Sequence, residues 1–536
     1  MNIQRWWQTG IIYHIYPRSF QDSNGDGVGD LRGIAQRLSH LIELGVDAIW
    51  LSPIFASPMA DFGYDIADYT AIDSLFGSSE DFDRLIELAH AQGLKVILDL
   101  VPNHTSDQHS WFQESRSARD SPKRDWYIWR DAAPDEGPPN NWLSEFGGSA
   151  WEYERQTAQY YYHAFLAAQP DLNWRNPQVR AAMYGVMRFW LRRGVDGFRV
   201  DVIWHLIKDD QFRDNPPNPA FRPGDPPQHA LVPLYTTDRP EVQDVISEMR
   251  RVVDEFSNRV LIGEIYLPIE RLVAYYGRDL TGVHLPFNFS LLGAQWHARP
   301  LAKLIDEYEA ALPPGGWPNW VLGNHDKPRI ASRVGNEQAR IAAILLLTLR
   351  GTPTIYYGDE IGMQQVAIRP EQVRDPFEKN VPGQGLGRDG CRTPMLWDGS
   401  RYAGFSDVEP WLPLPNRCEA DNVATQRQHS TSIYQLHRQL IALRRTRPAL
   451  SIGAYRPVVA SGDLLMFLRQ APGDRLLIAL NLAAEPSAVT CSLGPISGSL
   501  LLSSHLDRAG EAVRGSFDLR GNEGVVIELS SDSMLV

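Results

Sequence analysis

Arg199 and Asp201 stand two residues apart at the end of the short apolar run Gly197-Phe198-Arg199-Val200-Asp201. In an extended strand, residues i and i+2 share a face. Both side chains would therefore leave the strand's C-terminal end together, and the fixed guanidinium charge would hold the carboxylate ionised, as a nucleophile requires. An isolated pair of this kind more simply closes a strand as a buried ion pair. Here three more polar clusters follow β-rich runs: Asp99-Leu-Val-Pro-Asn-His104, Gly263-Glu264 and Gly323-Asn-His-Asp326. Polar groups at the C-terminal ends of several parallel strands form the active face of a barrel enzyme, and packing alone does not account for four of them.

The elements that must carry these clusters are legible as alternation. Strand-like runs are expected at Ile11 to Tyr16, Asp47 to Leu51, Lys95 to Val101, Gly197 to Asp201, Val260 to Glu264, Val283 to Phe287, Trp320 to Leu322 and Thr354 to Tyr357. Helical patterns lie between several of them, at Ile34 to Leu44, Ser79 to Gln92, Arg180 to Arg193, Glu241 to Phe256 and Glu337 to Leu349. Eight such units predict an α/β fold, a TIM (β/α)8 barrel. Polar, aromatic and Pro/Gly-rich sequence interrupts the alternation after the third strand, and this reads as a small inserted domain over 104–172. A proline-rich stretch from Arg213 to Pro240 reads as a rigid loop at the barrel mouth. After a helix at Ser432 to Arg445 the period changes to short alternating runs, such as Leu464 to Arg469, Leu476 to Asn481 and Gly524 to Leu529. The expected division is barrel over 1–103 and 173–449, insert over 104–172, and a C-terminal antiparallel β-sandwich over 450–536.

Composition narrows the partners. A chain of 536 residues with 43% hydrophobic and 22% charged content can bury a large core, and two or three domains are expected. Its formal charge of -13 argues against nucleic acid or an anionic membrane as a partner, both of which call for basic patches. Cys391, Cys418 and Cys491 are too few and too scattered for a disulfide framework. The opening Met-Asn-Ile-Gln-Arg-Trp-Trp has no apolar h-region, and no run is long enough to span a bilayer, so a cytoplasmic monomer or homodimer is expected.

Together the segments DLVPNH, GFRVD, GEIY and GNHD resemble the four sequence regions of the α-amylase superfamily, glycoside hydrolase family 13. Gln169-Pro-Asp-Leu-Asn173 resembles the fifth region in its oligo-1,6-glucosidase and α-glucosidase form, and Asp61-Phe-Gly-Tyr-Asp65 and Arg392-Thr-Pro-Met also match that subfamily. The resemblance implies Asp201 as nucleophile, Glu264 as general acid/base and Asp326 as the third carboxylate, which stabilises the transition state. A retaining glycosidase needs such a nucleophile and a protonated acid about 5 Å apart. Arg199 would keep Asp201 ionised, and a less polar setting would raise the pKa of Glu264. The resemblance also implies that His104 and His325 bind sugar hydroxyls, that Tyr64 is a stacking platform, and that an Asp61–Arg392 pair closes the pocket around one terminal glucose. Phe165, with Phe146 and Phe289, would face the acceptor.

The implied activity is a retaining, exo-acting α-glucosidase for short, maltose-like α-glucosides, with glucosyl transfer to sugar or alcohol acceptors. An oligo-1,6-glucosidase and a sucrose- or trehalose-converting isomerase are the alternatives, and Val202, after the nucleophile, is the type associated with α-1,6 preference. The loop Asp22-Ser-Asn24-Gly-Asp26-Gly-Val28-Gly-Asp30 sets oxygen ligands at alternate positions for a hard cation, although it lacks the terminal glutamate of an EF-hand. A metal-free polar turn is the simpler reading of the spacing. The subfamily resemblance implies structural Ca²⁺, or Mg²⁺, at Asp22, Asn24, Asp26, Val28 and Asp30, and no organic cofactor.

Overall fold

The computed structural model describes residues 5–415, 418, 421–489, 496–530 and 533. Residues 1–4, Cys491 and the end of the C-terminal domain lie outside the described residues. Strands and helices alternate as β1 (Ile12–Ile15), α1 (Leu38–Leu44), β2 (Ala48–Leu51), α2 (Ser79–Ala91), β3 (Lys95–Leu100), α3 (Pro177–Arg192), β4 (Gly197–Val200) and α4 (Val242–Asp254). The second half continues as β5 (Val260–Ile265), α5 (Ile269–Leu272), β6 (Leu285–Asn288), α6 (Ala298–Ala311), β7 (Asn319–Val321), α7 (Asn336–Thr348), β8 (Thr352–Tyr356) and α8 (Ile433–Thr446).

All eight strands pair in parallel, in the order β6-β5-β4-β3-β2-β1-β8-β7. At the β6–β7 seam a side chain joins the strands, the Asn288 N–H donating to Asn319 Oδ1 at 2.9 Å. This is the expected TIM barrel. Its strands are buried on both faces, which is why they read as continuous apolar runs. Gly197 is required by close approach, since a β-carbon there would lie 2.3 Å from the Val260 carbonyl oxygen on β5.

Local signals set the helix starts. Ser78 caps α2 in a capping box with Asp81, and Asn176 caps α3 with Pro177 in its first turn. Two differences from the sequence reading concern helices. The run from Ile34 to Leu44 breaks at Arg37 into Leu31–Gln36 and α1. Helix α6, absent from that reading, is driven by Leu301, Ile305 and Tyr308 on one buried face.

Between β3 and α3 the chain forms a three-stranded antiparallel sheet, Trp129–Arg130, Trp151–Glu154 and Gln159–Tyr162, around Trp142, Trp151 and Tyr162. The proline-rich loop packs on this insert: Trp142 stacks with Phe212, and its indole N–H donates to the Arg213 carbonyl. Both therefore overhang the C-terminal ends of the barrel strands. Beyond α8 a six-stranded antiparallel sheet faces a two-stranded one, Ser487–Val489 with Phe517–Leu519, across a core that includes Met466, Leu477, Val489 and Leu519. No helix among the described residues is long and apolar enough to cross a membrane.

Candidate active site

Strand β4 delivers Arg199 into the barrel, where its side chain is 1% exposed. Its guanidinium meets three carboxylates: Asp99 at 2.7 Å, Asp201 at 2.8 Å and Glu264 at 2.6 Å. One cation is thus divided among three anions. Burial and mutual repulsion outweigh it, so the Asp201 and Glu264 carboxyls lie above the ordinary carboxylate range and Asp99 rises to about 7. Burial and the neighbouring Glu264 and Asp99 carboxylates push the Asp201 pKa up, while Arg199 pulls it down, the direction expected of it. Asp201 and Glu264 meet on the same guanidinium, so the protonation of one depends on the charge of the other.

The backbone turns sharply after Asp201. Val202 is held at φ 35°, ψ 46°, a left-handed conformation that is costly for a β-branched residue. That turn aims the Val202 N–H at Glu264 Oε2, 2.9 Å away. Asp326, in the loop beyond β7, behaves differently. Burial would raise its pKa, but His325, Arg392 and Arg388 outweigh burial and hold it well below the ordinary range. Its charge is therefore permanent.

These groups open into a cavity of about 420 Å³ whose wall includes Asp61, Tyr64, His104, Phe165, Asp201, Glu264, His325 and Asp326. Tyr64 lies parallel to His325, its hydroxyl 2.7 Å from His325 Nε2 and 3.1 Å from Asp99 Oδ2. His104 Nε2 faces the Tyr64 carbonyl at 2.9 Å and the Gln169 amide at 3.2 Å. Phe165 packs against His104 and His205.

The Asp61–Arg392 pair expected from the sequence is not formed. Arg392 is fully buried and turned to Asp326, at 2.9 Å, and to the His325 carbonyl. The partner of Asp61 is Arg388, at 2.7 Å, which also holds Asp375 at 2.7 Å and reaches Asp326 at 3.5 Å. Two arginines four residues apart in one loop left the sequence no means of choosing between them. Sequence reasoning also passed over Trp204, Tyr266 and Phe377 on the cavity wall, and Glu145, a carboxyl that burial lifts to about 7. Phe146 does line the cavity, whereas Phe289 lies behind Tyr266, stacked on it at 4.4 Å. Arg388→Met would leave Asp375 buried and unpaired and free the Asp61 carboxylate. We expect kcat/KM on maltose to fall at least about 10²-fold and stability to drop by about 3–5 kcal/mol. Steady-state kinetics beside a thermal melt reads both.

The loop from Asp22 to Asp30 lies outside the cavity wall. Asp22 accepts the N–H groups of Asn24, Gly25 and Gly27, Asp26 accepts that of Val28, and Asp30 caps Leu31–Gln36 through Gly33. No cluster of three His, Cys, Asp or Glu side chains suited to a metal occurs among the described residues. The donor set is nonetheless all oxygen, from three carboxylates, the Asn24 amide and the Val28 carbonyl, as a hard cation prefers.

Comparison with known proteins agrees with this geometry. Residues 14–453 match the α-amylase catalytic-domain family. A probable α-glucosidase of Rhizobium meliloti is 42% identical over 521 residues, 94% of each chain. An oligo-1,6-glucosidase of Heyndrickxia coagulans is 40% identical, covering 89% of this chain and 92% of its own. Among solved structures, an α-glucosyl transfer enzyme superposes with a TM-score of 0.92 at 40% identity, covering 98% of this chain and all of its own. The trehalulose synthase of Pseudomonas mesoacidophila MX-45 gives 0.91 at 34% identity over the same shares. Four polar strand ends, one shared guanidinium and these matches lead to one conclusion: the chain belongs to the α-amylase family, glycoside hydrolase family 13, and is a glycoside hydrolase.

Proposed function

We propose that the protein is a retaining, exo-acting α-glucosidase. It releases α-glucose from the non-reducing end of short, maltose-like α-glucosides and passes glucosyl groups to sugar or alcohol acceptors. The observation that carries this reading is the contact between Asp201 and Glu264 on one guanidinium. Two carboxyls drawn to one guanidinium, at 2.8 and 2.6 Å, favour the closer spacing of a retaining enzyme over the wider one that an inverting enzyme needs for its water. Asp201 attacks the anomeric carbon while the proton on Glu264 passes to the leaving oxygen, which yields a glucosyl-Asp201 ester. Glu264 then takes the proton of the incoming hydroxyl, and the permanent charge of Asp326 stabilises the cationic sugar in both steps.

Short substrates follow from size. A cavity of about 420 Å³, walled by the Asp61–Arg388 pair, holds one glucose and a small leaving group. Sugar hydroxyls donating to Asp61 and hydrogen-bonding with His104, Arg388 and His325, with Tyr64 beneath the ring, would fix that glucose. A cytoplasmic monomer or homodimer is the setting we propose. The test is NMR of the products from maltose, isomaltose, sucrose and trehalose. Early α-glucose, chiefly from maltose, supports the proposal. Preference for isomaltose would make the protein an oligo-1,6-glucosidase, and rearranged sucrose or trehalose would make it an isomerase.

We further propose that the loop from Asp22 to Asp30 takes structural Ca²⁺, or Mg²⁺ in its place, with Asp22, Asn24, Asp26, Val28 and Asp30 as ligands. Binding to the folded state at 100 Kd adds about 2.7 kcal/mol. For a chain of this length a chelator should then lower Tm by about 2–3 °C, restored by Ca²⁺. An unchanged melt would leave a metal-free turn.

A further inference from the structure

We propose that a groove beside the catalytic cavity, between the β5–α5 connection and α6, binds an aromatic or otherwise apolar group. That group belongs to the leaving aglycone or to the accepting alcohol. The proposal rests on the α-glucosidase reading above and names the acceptor class it implies.

The groove has a volume of about 790 Å³ and adjoins the cavity, Tyr266, Leu267 and Lys327 lining both. Tyr266 lies two residues beyond Glu264, so both side chains point to the same side as the strand ends. It is the side on which the acid/base meets the leaving or entering oxygen. Tyr266 is 38% exposed, an unusual state for a large aromatic residue, and it is braced in place. Phe289 stacks on it with centroids 4.4 Å apart, and the Asn324 amide donates to its hydroxyl at 3.2 Å. Trp204 meets the ring edge-on at 5.8 Å and Lys327 Nζ lies 5.6 Å from its centroid, and the part of the ring left exposed gives the groove an aromatic surface beside the active site.

Beyond this ring the groove is walled by Ile269, Phe289, Leu292, Pro300 and Leu304. Lys303, Glu307 and Glu270 also line it, and their like and unlike charges leave no single-sign field. Ser290, Gln295 and Lys327 add polar groups at its margin, but the greater part of the lining surface is apolar, and a flat apolar ring fits it better than a second sugar. With the ring seated there, the acceptor hydroxyl attacks the anomeric carbon of glucosyl-Asp201. The ester C–O bond breaks, its electron pair returns to Asp201, the hydroxyl proton goes to Glu264, and an α-glucoside of the alcohol leaves.

Gly293 provides a clean test. It lines the groove at φ −105°, ψ 4°, open to any residue, and a β-carbon there meets nothing within 4 Å. Gly293→Phe would fill the groove without touching the catalytic residues. With maltose as donor and equal benzyl alcohol and ethanol, the wild type should form the benzyl glucoside at least about tenfold faster. Gly293→Phe should erase that advantage while maltose hydrolysis stays within about twofold. Equal rates for the two alcohols in the wild type, or an advantage that survives in Gly293→Phe, would overturn the groove. Saturation-transfer NMR of benzyl alcohol on both proteins reads the groove without turnover. A transfer signal that is strong in the wild type and disappears in Gly293→Phe upholds the groove even if maltose is not cleaved, in which case only the α-glucosidase reading falls. A signal of equal strength in both proteins overturns it.

Discussion

Asp201→Asn should lower kcat on maltose by about 10⁴-fold or more while the protein stays folded, the scale on which loss of a covalent nucleophile acts. An amide matches the carboxylate in shape but cannot form the glucosyl ester, so what remains is whatever water achieves unaided at the site. The fold is expected to gain, because Arg199 then serves Asp99 and Glu264 alone. Removing one of three repelling, buried carboxylates relieves a cost that is present in the wild type. A thermal melt at pH 7 should therefore show Tm unchanged or raised. That pairing of results matters, since a purely structural Asp201 would show the reverse, modest loss of activity and a falling Tm. Retention of kcat within tenfold in the folded variant would remove Asp201 from the nucleophile's place.

Much of this centre is legible in the sequence because the barrel forces it to be. A strand buried on both faces must be apolar along its length, so a polar residue at its end stands out, and β3, β4, β5 and β7 each announce their site residue in this way. The period of two then puts Arg199 and Asp201 on one side without further information. The inserted segment and the proline-rich loop are legible only as interruptions. Their contacts, such as Trp142 with Phe212, join residues 70 apart with no shared period.

What the sequence could not supply was the balance of charge and the choice among neighbours. One guanidinium looks sufficient for one carboxylate; that Asp99 and Glu264 share it follows from the strand register, Asp99 lying beside Arg199 and Ile262 beside Arg199 on the other side. The Asp61–Arg388 pair joins segments 327 residues apart, and local pattern says nothing about which loop arginine reaches across. Tyr266 was hidden for a different reason. An exposed aromatic residue reads in sequence as core, and only the Phe289 stack and the open groove beside it show otherwise.

Glu264→Gln should produce a defect whose size depends on the leaving group. Glutamine keeps the hydrogen bond from the Val202 N–H but carries no transferable proton. On maltose the departing sugar alkoxide is too basic to leave unprotonated, and kcat should fall about 10²–10⁴-fold, the usual scale for general acid–base catalysis. A 4-nitrophenyl α-glucoside needs no such help in the first step, so the glucosyl ester on Asp201 should accumulate in a burst. Hydrolysis of that ester then stalls, because nothing removes the proton from water. Azide needs no base, and adding it should restore turnover of the aryl substrate and give an α-glucosyl azide, the configuration that two inversions produce. The pH profile supplies the sign. Burial and neighbouring carboxylates raise the Glu264 pKa against the pull of Arg199, so the acid form persists into a higher range, and wild-type kcat/KM falls as pH rises through the raised value. In Glu264→Gln that basic limb should vanish. A variant that loses activity equally on both substrates, shows no burst and ignores azide would place the acid/base elsewhere in the cavity.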